Sequence, residues 1–534
     1  MSVTTQDYSM VVGGAWVESE SGQRFEATSP ATGETLGTVP EGTREDALRA
    51  IAMASAARRD WAARSAFERA AALERVADLI EERRDDLAHT LTLDQGKPLH
   101  AESYGEVEEL VVYWRMAAAD ATRVAGSMPP SVDASKRILA YRVPRGVVGV
   151  ITPWNWPYTM PAELIAPALA AGNTVVWTPA SSTAVCAVKL AECIVDAELP
   201  AGVFSMVTGP GSEVGDEIAA STGTHAVGFI GSVATGLTVA ARAAGKALVL
   251  ELGGNGPLVV LDDADVDAAA EASLAASFLC AGQSCTAGEL FLVHESVHDE
   301  FVEALRAAVE RSIRLGDPFS EDTTMGPLNN EPTAQKMDEH VADAVERGAK
   351  LIVGGSRARD FPTDLYWQAT VLADVTQDMD VAREETFGPV VPIVRISSDE
   401  EALQIANASQ YGLLTAVWTR DLARGLRFAE AVDAGWVNIN ESTNYWESHL
   451  PFGGRAGSSS GVGRVGGSSV LDAFTEPKTV VVTLARRVCV TDHERRRHGV
   501  RVDHVGAGTH GRFERRSPPR RRADGASRQG PARR

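Results

Sequence analysis

From residue 147 to residue 244 the chain alternates between short apolar runs and helix-patterned segments. The runs 147–151, 174–178, 203–207 and 226–230 read as buried strands, each closely followed by Gly, Pro or another turn signal. Between them 161–170, 185–197, 214–220 and 234–244 carry helical spacing. Strands and helices that take turns in this way predict a parallel, doubly wound α/β sheet. After Gly253 the alternation starts again. Strands are expected at 257–261, 290–293, 351–353 and 390–394, and helices at 265–279, 298–312, 331–348 and 400–406. The fold class is therefore α/β with two doubly wound domains of similar size.

Ahead of this region, 8–40 reads as short strands and turns. Residues 44–94 read as helical, with Leu48, Ile51, Leu73, Val76, Leu79, Ile80 and Leu87 three or four apart, and Gly96-Lys97-Pro98 as the stop. A helix over 106–119, a loop over 125–130 and a strand over 137–142 follow. A length of 534 residues allows about three domains. At 44% hydrophobic residues the chain can fill large cores. Its net charge of −21 argues against nucleic acid or a membrane surface as partner of the body of the protein. The five cysteines form no CxxC and have no His at metal-ligand spacing, so no metal is expected and a reducing, cytoplasmic setting fits. The N-terminus lacks a basic signal region, and the apolar stretch 147–177 is broken by Pro153, Pro157, Glu163, Pro167 and Asn173, so neither a leader nor a membrane span is expected. Residues 486–534 differ in kind: fifteen arginines against five acids give +10, which leaves −31 on the rest. With few apolar residues and no periodicity this tail is expected to be disordered, as a solvated appendage or a reading-frame artefact.

Three segments carry chemistry. Glu251-Leu252-Gly253-Gly254 ends the apolar run 247–250, so a carboxylate is held at a strand end with little crowding. Gly282-Gln283-Ser284-Cys285 follows an alanine-rich helix, and Gly282 lets backbone approach whatever Cys285 attacks. A cysteine nucleophile needs help to form its thiolate, and a covalent intermediate needs a base to direct water, so Cys285 and Glu251 suit one another. Thr152-Pro153-Trp154-Asn155-Trp156-Pro157 follows the strand ending at Ile151, and the Asn155 amide, fixed by its neighbours, suits an oxyanion donor. Taken singly, each has a plainer reading: a buried Cys, a strand-end acid, a turn Asn. Two glycine-rich strand-to-helix turns, Gly228 to Ser232 and Gly209 to Gly215, suit phosphate, though neither has the GxGxxG spacing.

Together with Glu384-Glu385-Thr386-Phe387-Gly388-Pro389-Val390 and Pro451-Phe452-Gly453-Gly454, these segments resemble the aldehyde dehydrogenase superfamily in motif and order, from about Gly13 to Leu484. The separations of 96, 34 and 100 residues along Asn155, Glu251, Cys285 and Glu385 also fit. The resemblance implies two Rossmann-like domains plus a small β oligomerisation element, and NAD(P)-dependent oxidation of aldehydes to acids by the non-acylating branch. It implies that Cys285 adds to the carbonyl as a thiohemiacetal, that Asn155 and the Cys285 N–H hold the oxyanion, and that Glu251 activates water to hydrolyse a thioester. Glu385 would hold the nicotinamide ribose with Phe387 beside it, Trp154, Leu252 and Gly253 would line the cleft, Ser232 would meet pyrophosphate, and Gly211, Gly215, Thr178 and Ser181 the adenosine side. It further implies a cofactor domain of 1–124 and 146–252, a catalytic domain of 253–452, and oligomerisation strands in 125–145 and 473–485, hence a homodimer or homotetramer.

The chain departs from the family's usual residues at several points. Thr178 replaces a Lys and Ser181 a Glu, changes that push cofactor choice in opposite directions; the reading is NAD or NADP, leaning to NAD. Val233, Ile230, Asn255 and Leu290 replace two Thr, a Lys and an Arg. The substrate pocket is expected to involve Trp156, Tyr158, Phe278, Ser284, Thr286 and the loop 440–446. With no obvious Arg there, a neutral aliphatic or aromatic aldehyde is expected over a semialdehyde acid. Two other readings are a fold kept for binding without catalysis and a cysteine esterase, which would need no nucleotide.

Overall fold

The structure, a computed structural model, describes residues 6–484. The basic tail expected to be disordered lies outside the described residues.

Two large sheets organise the chain. The first runs, in spatial order, Gly461–Val462, Ala247–Leu252, Ala226–Gly231, Val147–Ile151, Thr174–Thr178, Phe204–Met206, Met10–Val12 and Ala15–Val17. Its five central strands are parallel, and its outer strands are antiparallel additions. The second runs Lys350–Val353, Thr370–Ala373, Val390–Ile396, Gly288–His294, Gly256–Val260, Leu414–Trp418 and Trp436–Ile439, and only its first pair is antiparallel.

Numbered in chain order, the parallel strands of the first sheet are arranged 3-2-1-4-5 and those of the second 3-4-2-1-5-6. The first sheet therefore reverses direction between its first and fourth parallel strands and the second between its first and fifth, and in such sheets ligands collect outside the carboxyl ends at that switch point. In the first sheet the switch lies between Val147–Ile151 and Ala226–Gly231. The Thr152-to-Pro157 segment and the Gly231-Ser232 turn leave from those two ends. The central strands are apolar because helices cover both faces. Trp61, Trp114 and Trp177 are buried around the first sheet, and Phe291, Phe301 and Trp367 around the second.

The segment 44–94, expected as one helical stretch, is three helices: Arg44–Ala63, Ala66–Glu82 and Arg84–Gln95. Ser65 restarts the chain by accepting the Glu68 N–H while the Glu68 carboxylate accepts the Ser65 N–H at 2.8 Å. This reciprocal cap satisfies two orphan donors and favours a break there. Strands Thr370–Ala373, Leu414–Trp418 and Trp436–Ile439 and helix Leu422–Ala431 complete the second sheet beyond the expected elements. Lys136–Pro144 and Thr475–Thr483 form a separate two-stranded ribbon. No helix among the described residues is long and apolar enough to cross a membrane.

Candidate active site

Glu251 is the penultimate residue of the strand Ala247–Leu252. On its inner side it faces Ile230, and on its outer side Gly461 of the returning chain. Leu252 N–H donates to the Ser460 carbonyl at 3.2 Å, and the Ser460 hydroxyl donates to the Gly253 carbonyl at 2.8 Å. The chain then crosses to the second sheet through Gly253-Gly254-Asn255. Glu251 is 4% exposed and its Oε1 has no hydrogen-bond partner among the described residues. Burial pushes its pKa up to about 8; a hydrogen bond from the Cys285 thiol pulls it down, and the Glu385 charge adds to the rise.

Cys285 arrives through the helix Val266–Phe278 and a tight turn in which Cys280, Ala281 and Gly282 are all left-handed. At Gly282 a Cβ would stand 2.2 Å from the Gly388 carbonyl, so only glycine lets this turn meet the Phe387-Gly388 turn. Side chains hold the strained stretch. Glu102 accepts the Cys280 N–H at 3.0 Å; the Gln283 amide donates to the Cys280 carbonyl at 2.8 Å and accepts the Asn329 N–H at 2.8 Å. Burial, then the Glu251 carboxylate, keeps the partly exposed Cys285 thiol well above its ordinary pKa, so the resting group is protonated. The thiol and Glu251 line one cleft. A proton passing from sulfur to carboxylate would leave a nucleophile at the carbonyl and an acid beside it.

Asn155 closes the group. Its side-chain N–H donates to the Gln283 carbonyl at 2.9 Å, which ties the loop after the first switch-point strand to the turn before Cys285. That loop is fixed from behind: Trp177 Nε1 donates to Thr152 Oγ1 at 2.9 Å, and Thr152 N–H to the Thr178 carbonyl at 3.2 Å. The second amide hydrogen of Asn155 has no acceptor among the described residues.

Trp154, Ser232, Gly253, Glu385 and Phe387 line the cleft that also holds Asn155, Glu251 and Cys285. The Trp154 and Phe387 rings meet edge to face, 5.6 Å between centroids. Ser232 caps the helix Val233–Arg242 by accepting the Thr235 N–H, and Gly211 and Gly215 line a groove against that helix. Thr178 is buried with its hydroxyl unpartnered, and Ser181, at the head of a short helical turn, donates to the Gly209 carbonyl at 3.4 Å. The Leu252 side chain is packed into the core beneath Gly236.

Glu385 bends over Gly253, where a Cβ would sit 2.4 Å from its carboxylate, and accepts the Gly254 N–H at 2.9 Å. Sequence reasoning missed the group that supports it. Glu289, 1% exposed, accepts the Thr386 and Phe387 N–H groups at 2.5 and 2.8 Å and holds Phe387 at φ +60°. Burial, then the Glu385 charge, drives Glu289 well above the carboxylate range. Its signal was an acid inside the apolar run 287–293. Lys336 and Thr333 also enter the cleft unforeseen.

A second hollow opens on the other side of Cys285 and Glu251, with Trp156, Ser284, Thr286, Asn444 and Trp446 among its lining residues. Two expected members are not there. Tyr158 is fully buried and donates its hydroxyl to the Leu87 carbonyl at 3.1 Å, and Phe278 packs in the second core. Ser284 and Thr286 hydroxyls lie 2.7 Å apart, and Thr286 donates to the Asn444 side chain. The hollow also takes in Phe452 and Glu163, which had been read only as parts of a closing turn and a core helix.

Comparison with known proteins gives the family. The 3-sulfolactaldehyde dehydrogenase of Pseudomonas putida is 39% identical over 471 residues, covering 88% of this chain and 96% of that protein. The succinate-semialdehyde dehydrogenase NADP(+) of Escherichia coli strain K12 is 38% identical over 89% of this chain and 97% of its own length. A crystal structure of an NAD-dependent aldehyde dehydrogenase from Sinorhizobium meliloti superposes with a TM-score of 0.87 at 36% identity, covering 90% of this chain and 96% of that one. The profile described as "Aldehyde dehydrogenase family" matches residues 16–480, nearly all of the described chain, and the protein belongs to that family of NAD(P)-dependent oxidoreductases.

Proposed function

We propose that this enzyme oxidises an aldehyde to its acid through a covalent intermediate on Cys285, with Glu251 as base and Asn155 as oxyanion donor. The observation that carries the reading is the convergence of thiol, carboxyl and amide on one cleft that continues to Glu385 and Phe387. Cys285 Sγ adds to the carbonyl carbon, and its proton passes to Glu251. The developing alkoxide is met by the free hydrogen of the Asn155 amide and the Cys285 N–H, donors fixed in place by Gln283. A nicotinamide dinucleotide supplies the hydride acceptor when bound. The residues suit that group: the Glu385 carboxylate, given room over Gly253, a helix N-terminus capped by Ser232, and the Trp154 and Phe387 rings. Once Glu251 has released the thiol proton to solvent, its carboxylate directs a water at the resulting thioester and takes that water's proton on the unpartnered Oε1.

NAD is the favoured cofactor. Arg242, in the adenosine-side groove, is committed to Asp216 through bonds of 2.6 and 2.9 Å, which leaves little to pair with a 2′-phosphate. We assign 1–124 and 146–252 to the cofactor domain, 253–452 to the catalytic domain, and the ribbon in 125–145 and 473–485 to a homo-oligomer contact in the cytoplasm. The ribbon leaves Tyr141 and Val481 exposed, as an open edge awaiting a partner does. Light scattering on the purified chain measures the assembly.

The test is rapid mixing with an aldehyde and NAD or NADP. Reduced-nicotinamide absorbance should appear and vanish in Cys285→Ala. Nucleotide binding without turnover on any aldehyde, or ester hydrolysis alone, would overturn the reading.

A further inference from the structure

We propose that the Glu163 carboxyl sets the charge of the substrate: the enzyme takes an aldehyde that carries an ammonium group at the end remote from the carbonyl, and turns away aldehydes that carry a carboxylate or sulfonate. This rests on the reading of Cys285 as nucleophile. It sets the chain apart from the Pseudomonas putida and Escherichia coli relatives described above, whose names specify acid-bearing aldehydes.

The hollow beyond Cys285 is lined by Glu163, Trp156, Trp446 and Phe452 together with Glu251, and no Lys or Arg is among its lining residues. Glu163 lies on the helix Thr159–Ala170, 7% exposed. Its one side-chain bond is the Tyr113 hydroxyl at 2.5 Å, a neutral partner that orients the carboxyl without balancing its charge. Tyr113 in turn stacks on Trp446, 6.2 Å between centroids, so the acid and the aromatic wall form one unit.

The surroundings supply no compensation. Glu109 and Glu251 are the charged neighbours that act on Glu163, and both are acids. The nearby cation Lys97 sits 3.2 Å from the Trp156 ring centre but is spent on Glu106 at 2.6 Å, with Glu102 alongside. Burial and these acids push Glu163 up to about 8, which marks a place short of positive charge. An ammonium group would supply the missing charge and rest against aromatic faces. A carboxylate on the substrate would find no cation in this hollow to offset its loss of water, and any ionisation of Glu163 or Glu251 would add repulsion.

The experiment measures kcat/KM of the full chain on three aldehydes of similar length: butanal, succinate semialdehyde, and a trimethylammonium-bearing aldehyde. We expect the cationic substrate to exceed butanal, and butanal to exceed the anionic one, by about tenfold or more at each step, mostly in KM. In Glu163→Gln the cationic-to-neutral ratio should fall about tenfold and the anionic-to-neutral ratio should rise. Tyr113→Phe, which removes only the orienting hydroxyl, should shift both ratios the same way but less, and stands in if the first variant does not fold. A wild-type preference for succinate semialdehyde, or ratios untouched by both variants, overturns the inference while leaving the Cys285 chemistry standing. Absence of turnover on all three would instead remove the reading beneath it.

Discussion

The side-chain amide of Asn155 donates to the main-chain carbonyl of Gln283 at 2.9 Å, so a residue from the first sheet's switch-point loop holds the turn that leads into Cys285. One amide therefore does two jobs: one hydrogen fixes the turn, and the other remains for an oxyanion. Asn155→Ala should lower kcat by about 10²–10³, the usual cost of one lost oxyanion donor. Asn155→Asp should be no better, since the carboxylate repels the alkoxide and cannot donate to Gln283. Steady-state kinetics with a circular-dichroism check on folding separates this from collapse of the turn.

The state of Glu251 sets a pH dependence. Its carboxyl titrates near about 8 because burial disfavours the charged form. Below that pH the group is protonated and takes no proton; above it the base is available. The hydrolytic step should therefore quicken as pH rises through about 8 and level off beyond. Glu251→Gln should slow it by about 10²–10⁴ and flatten the profile. Single-turnover release of acid, followed from pH 6 to pH 10, is the measurement.

Glu289 touches two N–H groups beside Glu385 and is expected to act through them. Gln at this position offers one acceptor and turns an amide N–H toward the other donor. The Phe387 turn should loosen at a cost of about 1–3 kcal/mol. The KM for the dinucleotide should then rise more than the aldehyde KM, together with a lower Tm. A change confined to Tm would mean that the turn survives.

Lys97 is buried at 2% exposure between Glu106 and the Trp156 ring. Glu106 in turn accepts the Tyr158 N–H at 3.0 Å, at the start of the helix that carries Glu163. Lys97→Met strands a buried carboxylate and should destabilise by about 3–5 kcal/mol. Pairing it with Glu106→Gln should recover part of that loss, as denaturant midpoints of the two singles and the double would register.

Both sheets were legible in the sequence because their strands are covered on both faces and so stand out as apolar runs between turn signals. Glu251, Cys285 and Asn155, which the structure brings to one cleft, stood out because each lies beside a glycine- or proline-marked turn. The break at Ser65 also had a local signal, the Ser65…Glu68 pair, but the helical spacing on either side overrode it. Glu163 and Glu289 escaped because each is a single acid in an otherwise apolar element, and only tertiary packing shows what such an acid faces. Tyr158 was misread for the converse reason: next to the Trp156-Pro157 corner its ring turns back to Leu87 instead of outward.

The outer neighbour of Glu251 comes from Ser460, Gly461 and Val462, more than two hundred residues later in the chain. During synthesis on the ribosome, Asn155, Glu251 and Cys285 all emerge long before the clasp that seats the Glu251 strand. A nascent chain halted before Ser460 thus holds Asn155, Glu251 and Cys285 yet lacks the segment that flanks the Glu251 strand, which comes with about the last twentieth of the described polypeptide.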